Sequence, residues 1–166
     1  MPTRIEGLEQ ALNANRFKLQ HDVDIAGERA LVAHRSDFRL RWFATRLHSF
    51  VITCSVSSLT TERAEELTAA AQQFSVSHKP GLPRGLQTGT MTFATFICDS
   101  SDEELQRWFA AKPPVGFAAM QFPVLADIST DQVTWFGGQR VLGSIYRQHA
   151  HRIVKDLIAD GLQMRS

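Results

Sequence analysis

Thiols are scarce in this chain: Cys54 and Cys98 are its only cysteines. Two are too few for a disulfide framework or a cysteine-ligated zinc site. Neither sign of charge is in excess, with 18 Lys and Arg against 17 Asp and Glu for a net +1, so the charge balance makes no case for nucleic acid. No apolar run approaches the ~20 residues needed to cross a bilayer. The opening stretch carries Arg4, Glu6 and Glu9 and does not read as a signal peptide. The expectation is a cytoplasmic protein with reduced cysteines and neither a membrane nor a nucleic-acid partner. The Gly-rich phosphate loops, the H-E-x-x-H and C-x-x-C metal and redox motifs and the G-x-S-x-G elbow are all missing. Their absence leaves no cofactor and no metal site to expect, and leaves open whether the protein is an enzyme.

What the chain does have is core-forming material. Of its 166 residues 43% are hydrophobic, enough for one self-sufficient core. A capping box of Thr3 and Glu6, with Leu8 and Leu12 on one stripe, opens a first helix. The period then changes to two. Phe17 and Leu19, then Ala30 and Val32, read as a hairpin about the turn Ala26-Gly27-Glu28. Phe38, Leu40, Trp42 and Ala44 read as a third strand, and after a turn near 46–48 Phe50, Ile52, Cys54 and Val56 read as a fourth. Thr60 caps a second helix, and a strand over 90–98 follows. Ser101 with Glu104 reads as the capping box of a third helix, which Pro113-Pro114 ends. Two more strands, from Met120 to Ile128 and from Val133 to Phe136, precede a long helix over 139–160 that carries His149 and Leu157 and stops at Gly161.

The order α-ββββ-α-β-α-ββ-α predicts a single α+β domain over 1–166. Its twisted sheet should be mostly antiparallel or mixed, with helices mainly on one face.

Histidines are six, and the one close pair, His149 and His151, points to different sides of a helix. His149 lies on the apolar stripe, where a core histidine is the expectation. Arg39 and Arg41 alternate away from Trp42, which spoils a basic, aromatic nucleic-acid surface. Two features remain. Ser57-Ser58, Asp99-Ser100 and Asp127 gather where strands end, a place for ligands in parallel sheets, yet their residue types are those of helix caps. The other is the loop from Lys79 to Gly89. Gly81 and Gly85 permit close backbone approach, Gln87 adds an amide, and Lys79 and Arg84 suit an anionic group. Lys79, Arg84, Gln87, Gly81 and Gly85 are therefore the candidate ligand-binding or partner-binding residues.

The segments GLPRGLQTG over 81–89, FAAMQFPVLADIST over 117–130 and VLGSIY over 141–146 resemble patterns in a group of uncharacterised bacterial proteins. The resemblance covers under half the chain and implies a free-standing bacterial domain with no activity to transfer. In its order of elements the chain is similar to type III secretion chaperones and related protein-binding domains. The expected function is a non-catalytic adaptor acting through protein contacts, with itself as a homodimer or with another protein. The alternative is a binder of, or enzyme on, a small anionic ligand held by the Lys79 to Gly89 loop.

Overall fold

A computed structural model describes residues 3–39, 45–80, 88–111, 113, 119–137 and 146–166. Six strands form one sheet in chain order: β1 (Lys18–Ile25), β2 (Glu28–Arg39), β3 (Thr45–Ser55), β4 (Thr88–Cys98), β5 (Ala119–Asp127) and β6 (Gln132–Trp135). Four helices accompany it: α1 (Arg4–Ala14), α2 (Thr61–His78), α3 (Glu103–Ala110) and α4, over 147–162. The domain is α+β with a mixed sheet, as its order of elements predicts. β1, β2 and β3 pair antiparallel, as do β5 and β6, whereas β3, β4 and β5 run parallel. Parallel neighbours need a crossover, and α2 and α3 supply the two.

Both crossovers step the same way along the sheet, so a common right hand puts both helices on one face. There Ala64, Leu67 and Ala71 of α2 and Leu105 and Phe109 of α3 cover Phe50, Ile52, Ala94, Phe96 and Leu125. The other face is not left to solvent. Leu8 and Leu12 of α1, with Ile153, Val154, Leu157 and Ile158 of α4, cover Val51, Met91, Phe93 and Val124. The expectation of helices mainly on one face is thereby corrected to a three-layer arrangement. The reason is in β4, where Met91 and Phe93 alternate with Ala94 and Phe96; a strand apolar on both sides must be covered on both.

Local detail departs from expectation in four places. The second and third expected strands are one: β2 runs unbroken for 12 residues and pairs with β3 from Ala30 to Arg39. The polar run His34-Arg35-Ser36-Asp37 reads as a break in the sequence, but it forms the end of the sheet, where polar groups are tolerated on both faces. The expected turn near 46–48 lies inside β3, with His48 and Leu47 buried; residues 40–44, Trp42 among them, are outside the described residues. α3 is capped by Asp102, whose side chain accepts from Leu105 N at 2.8 Å, and not by Ser101.

The end of α4 is the fourth departure. Its middle, Ile153–Ala159, widens to π geometry before Asp160–Leu162 closes it. The left-handed residue is Gln163 at φ 57, with Met164 N bonded to Ala159 O and Gln163 N to Asp160 O. The Schellman stop is therefore two residues later than Gly161, and Gln163 takes the place that glycine usually holds. Gly161 is inside the helix, held against α1.

Candidate functional site

β1 begins at Lys18, opposite His34. Beyond that pair, residues 35–39 of β2 have β3 on one side and, among the described residues, no strand on the other. An open cleft of about 580 Å³ wraps this bare edge. Arg16 and Lys18 line it from the α1–β1 turn and the start of β1, His34 and Arg35 from β2, Arg46 and His48 from β3, and Pro80 from the end of α2.

Arg35 is already committed. Its Nε donates to Asp37 Oδ2 at 2.8 Å, its Nη1 to Asn15 O at 3.0 Å, and its guanidinium lies 4.7 Å over the Phe17 ring. Arg46 donates to Ser36 Oγ at 3.2 Å, a neutral acceptor. Among the described residues Arg16, Lys18 and Arg46 have no carboxylate partner. With the Arg35–Asp37 pair cancelling, the cleft carries a surplus of three positive charges, which draws anions.

Its floor is a histidine pair. His34 Nε2 and His48 Nδ1 are 3.0 Å apart, so one ring donates and the other accepts. His34 also stacks on Phe50 at 4.5 Å between ring centres. His48 is 1% exposed and its Nε2 is buried without a hydrogen-bond partner. Burial, then His34, Lys79 and Arg46, hold His48 down to about 4 from an ordinary 6.5. Burial and Lys18 lower His34 as well. Both rings are neutral at neutral pH, and a negative group in the cleft would reverse the repulsion that keeps them so.

A second polar set lies behind the same strands on the α1–α4 face. His149 Nε2 approaches Ser49 Oγ at 3.2 Å and Asp37 Oδ2 at 3.9 Å. Serine, histidine and aspartate meet here, yet both partners approach one nitrogen of the ring. A catalytic triad uses the two nitrogens separately, one for the nucleophile and one for the carboxylate. Ser49 is moreover fully buried, and His149 is the core histidine expected from its stripe.

The strand-end candidates sit at the opposite end of β4, roughly 30 Å away at about 3.3 Å per residue. Asp127 is buried. Its Oδ2 accepts from Ser101 N at 2.8 Å and from Ser101 Oγ, and its Oδ1 from Ser129 Oγ at 2.6 Å and Thr130 N at 3.2 Å. Burial pushes this carboxyl up, but the hydrogen bonds outweigh it and hold it below its ordinary value. Every lone pair of Asp127 has a structural use: it ties the β4–α3 loop to the β5–β6 turn. Cys54 and Cys98 are free and buried, and burial, aided by Glu28 and by Asp127 respectively, pushes both thiols up to about 11. Neither is an activated nucleophile.

Of the residues singled out in the sequence, Lys79 is the C-cap of α2, and its charge acts on His48. Gly81, Arg84, Gly85 and Gln87 lie outside the described residues. The chain enters that loop from Pro80, on the wall of the basic cleft. Sequence reasoning missed His34, His48, Arg16, Lys18 and Arg46 as a group. One signal was available: His34 and His48 share parity on two neighbouring strands, but only the β2–β3 register brings them side by side.

Comparison with known protein families, with curated proteins and with solved structures gives no match. No helix among the described residues is long and apolar enough to cross a membrane. Among those residues no group of three or more metal-ligating side chains is assembled either.

Proposed function

We propose that this protein is a binding domain for a small anionic ligand, a carboxylate or phosphate compound, held in the cleft at the bare edge of β2. The observation that carries the reading is the meeting of Arg16, Lys18 and Arg46, none with a carboxylate of its own, above the buried and unpartnered Nε2 of His48. An unpaired polar atom in a dry floor is costly, and a ligand oxygen relieves that cost. Among the described residues no activated nucleophile lines the cleft, and the role we propose is binding. Lys79, whose charge acts on His48, adds to the same positive field. We propose a cytoplasmic, bacterial setting for it.

Calorimetric titration with inorganic phosphate and with citrate at low salt tests this. Saturable binding that Arg46→Ala weakens roughly ten-fold, the worth of one charge-assisted contact, is the expected result. Arg46 is exposed, so its loss leaves folding intact. Heat exchange that does not saturate, or binding indifferent to Arg46→Ala and Lys18→Ala together, would overturn the proposal.

A second reading rests on the same edge. Among the described residues no strand pairs the outer edge of residues 35–39, and Phe38 is 53% exposed there. Such an edge accepts another strand, and we propose a second copy of this chain as its occupant. Sedimentation at rising concentration, with Ser36→Pro as the variant that cannot extend the ladder, decides between monomer and dimer.

A further inference from the structure

We infer that the groove between α2 and α3, on the far side of the sheet centre from the basic cleft, is a site for a small organic cation with a flat ring. The groove encloses about 320 Å³, within the usual range for ligand sites. Its wall is Trp108, its base is Pro123 and Gln121 of β5, and Thr68 and Gln72 of α2 close the other side.

Two features distinguish this groove from a gap in the packing. Thr68 is 4% exposed, lines the groove, and has a hydroxyl with no hydrogen-bond partner. One strand away Thr92, in register with Gln121 of the groove base, is buried with its hydroxyl equally unpartnered. Buried hydroxyls are nearly always bonded, so the unpartnered Thr68 hydroxyl on the groove wall points to a polar group that arrives with a ligand.

Charge selects the ligand. Among the described residues Glu65 is the one ionisable side chain that lines the groove, and it accepts from Trp108 Nε1 at 3.2 Å. That bond fixes the indole plane and sets a carboxylate at its edge. A ring stacked on the indole with an ammonium toward Glu65 gains both an ion pair and the attraction of a cation for an aromatic face. An anion of the same shape meets repulsion. The groove thus has a preference opposite to that of the basic cleft, and its occupancy is independent of the ligand proposed there.

Tryptamine, indole and indoleacetate share one ring and differ in charge, which makes them the probes. Amide and indole NMR shifts of the full chain are followed at Thr68, Gln121 and Trp108 during each titration at neutral pH. Saturable shifts at these residues with tryptamine are expected, with indole weaker and indoleacetate weakest. Glu65→Gln should weaken tryptamine by about three-fold, the size of an exposed ion-pair contact, and leave indole unchanged. Because Glu65 is exposed, an unchanged melting curve for that variant confirms that it is folded. Absence of saturation by tryptamine at about 10 mM, a free energy below ~3 kcal/mol, would overturn the site. Equal affinity for all three probes, or indifference to Glu65→Gln, would overturn its charge preference.

Discussion

Gly7 of α1 and Gly161 of α4 meet face to face, so closely that neither position has room for a methyl group. A Cβ on Gly7 would run into the carbonyl oxygen of Gly161, and one on Gly161 would lie 2.9 Å from Leu8 Cα. Both obstacles are backbone, which cannot swing aside. In an exposed helix Gly→Ala gains roughly 0.5–1 kcal/mol through propensity. Here the sign reverses: Gly161→Ala should cost about 2 kcal/mol or more by forcing α1 and α4 apart. Chemical denaturation measures this directly, and a stabilised Gly161→Ala would refute the close approach.

Two residues further on, Gln163 occupies a left-handed conformation at φ 57. A side chain there costs about 1 kcal/mol that glycine avoids. Gln163→Gly should therefore raise stability by about that amount, since Gln163 is exposed and its side chain is not needed for the cap. Thermal melts of the two proteins side by side will show whether Tm rises.

Asp127 and Asp99 close neighbouring strand ends but should behave differently. Asp127→Ala leaves Ser101 N and Thr130 N without their acceptor. Its cost should be about 3 kcal/mol, the sum of two orphaned donors. Asp99 is exposed, so Asp99→Ala should fall within ~0.5 kcal/mol of the parent. Equal effects in a denaturant titration would contradict the structural role assigned to Asp127.

Acid should loosen this fold over a defined range. His48 is held down to about 4 from 6.5, so between those values the unfolded chain binds the proton and the native ring does not. Stability is then complete above pH 6.5 and is lost as pH falls toward 4, by up to roughly 3 kcal/mol. Asp127, also held low, adds a further loss at lower pH, beneath its ordinary carboxylate value. His48→Asn should flatten the upper part of the curve only. Because an anion in the cleft favours the charged rings, phosphate or citrate affinity should rise over the same fall in pH. Unchanged melting between pH 6.5 and 4.5 would exclude the buried histidine pair as the cause.

Much of the fold was legible in the amino-acid order because its signals are local. The Thr3–Glu6 box, the Thr60 cap and the Gly27 turn each depend on residues a few positions apart, and each appears in the structure. The α+β class followed from the same periods. The candidate loop was legible only in part. Lys79 caps α2 and its charge acts on His48, while Arg84 and its neighbours lie outside the described residues.

What tertiary structure alone decided is everything that depends on register and on which face an element covers. His34 and His48 are 14 positions apart, and nothing local to either marks a pair; the β2–β3 ladder makes them neighbours. Arg16, Lys18 and Arg46 are ordinary surface cations until the late start of β1 leaves an edge for them to surround. Gly161 read as a helix stop, because glycine after an apolar stripe usually is one. Only the approach of α1 shows that it is there to let two backbones touch. Propensity and period act over single turns and strands, whereas the cleft and the helix contact are set by pairing across the chain. The amino-acid order thus determined which elements form, and packing determined which of their side chains meet.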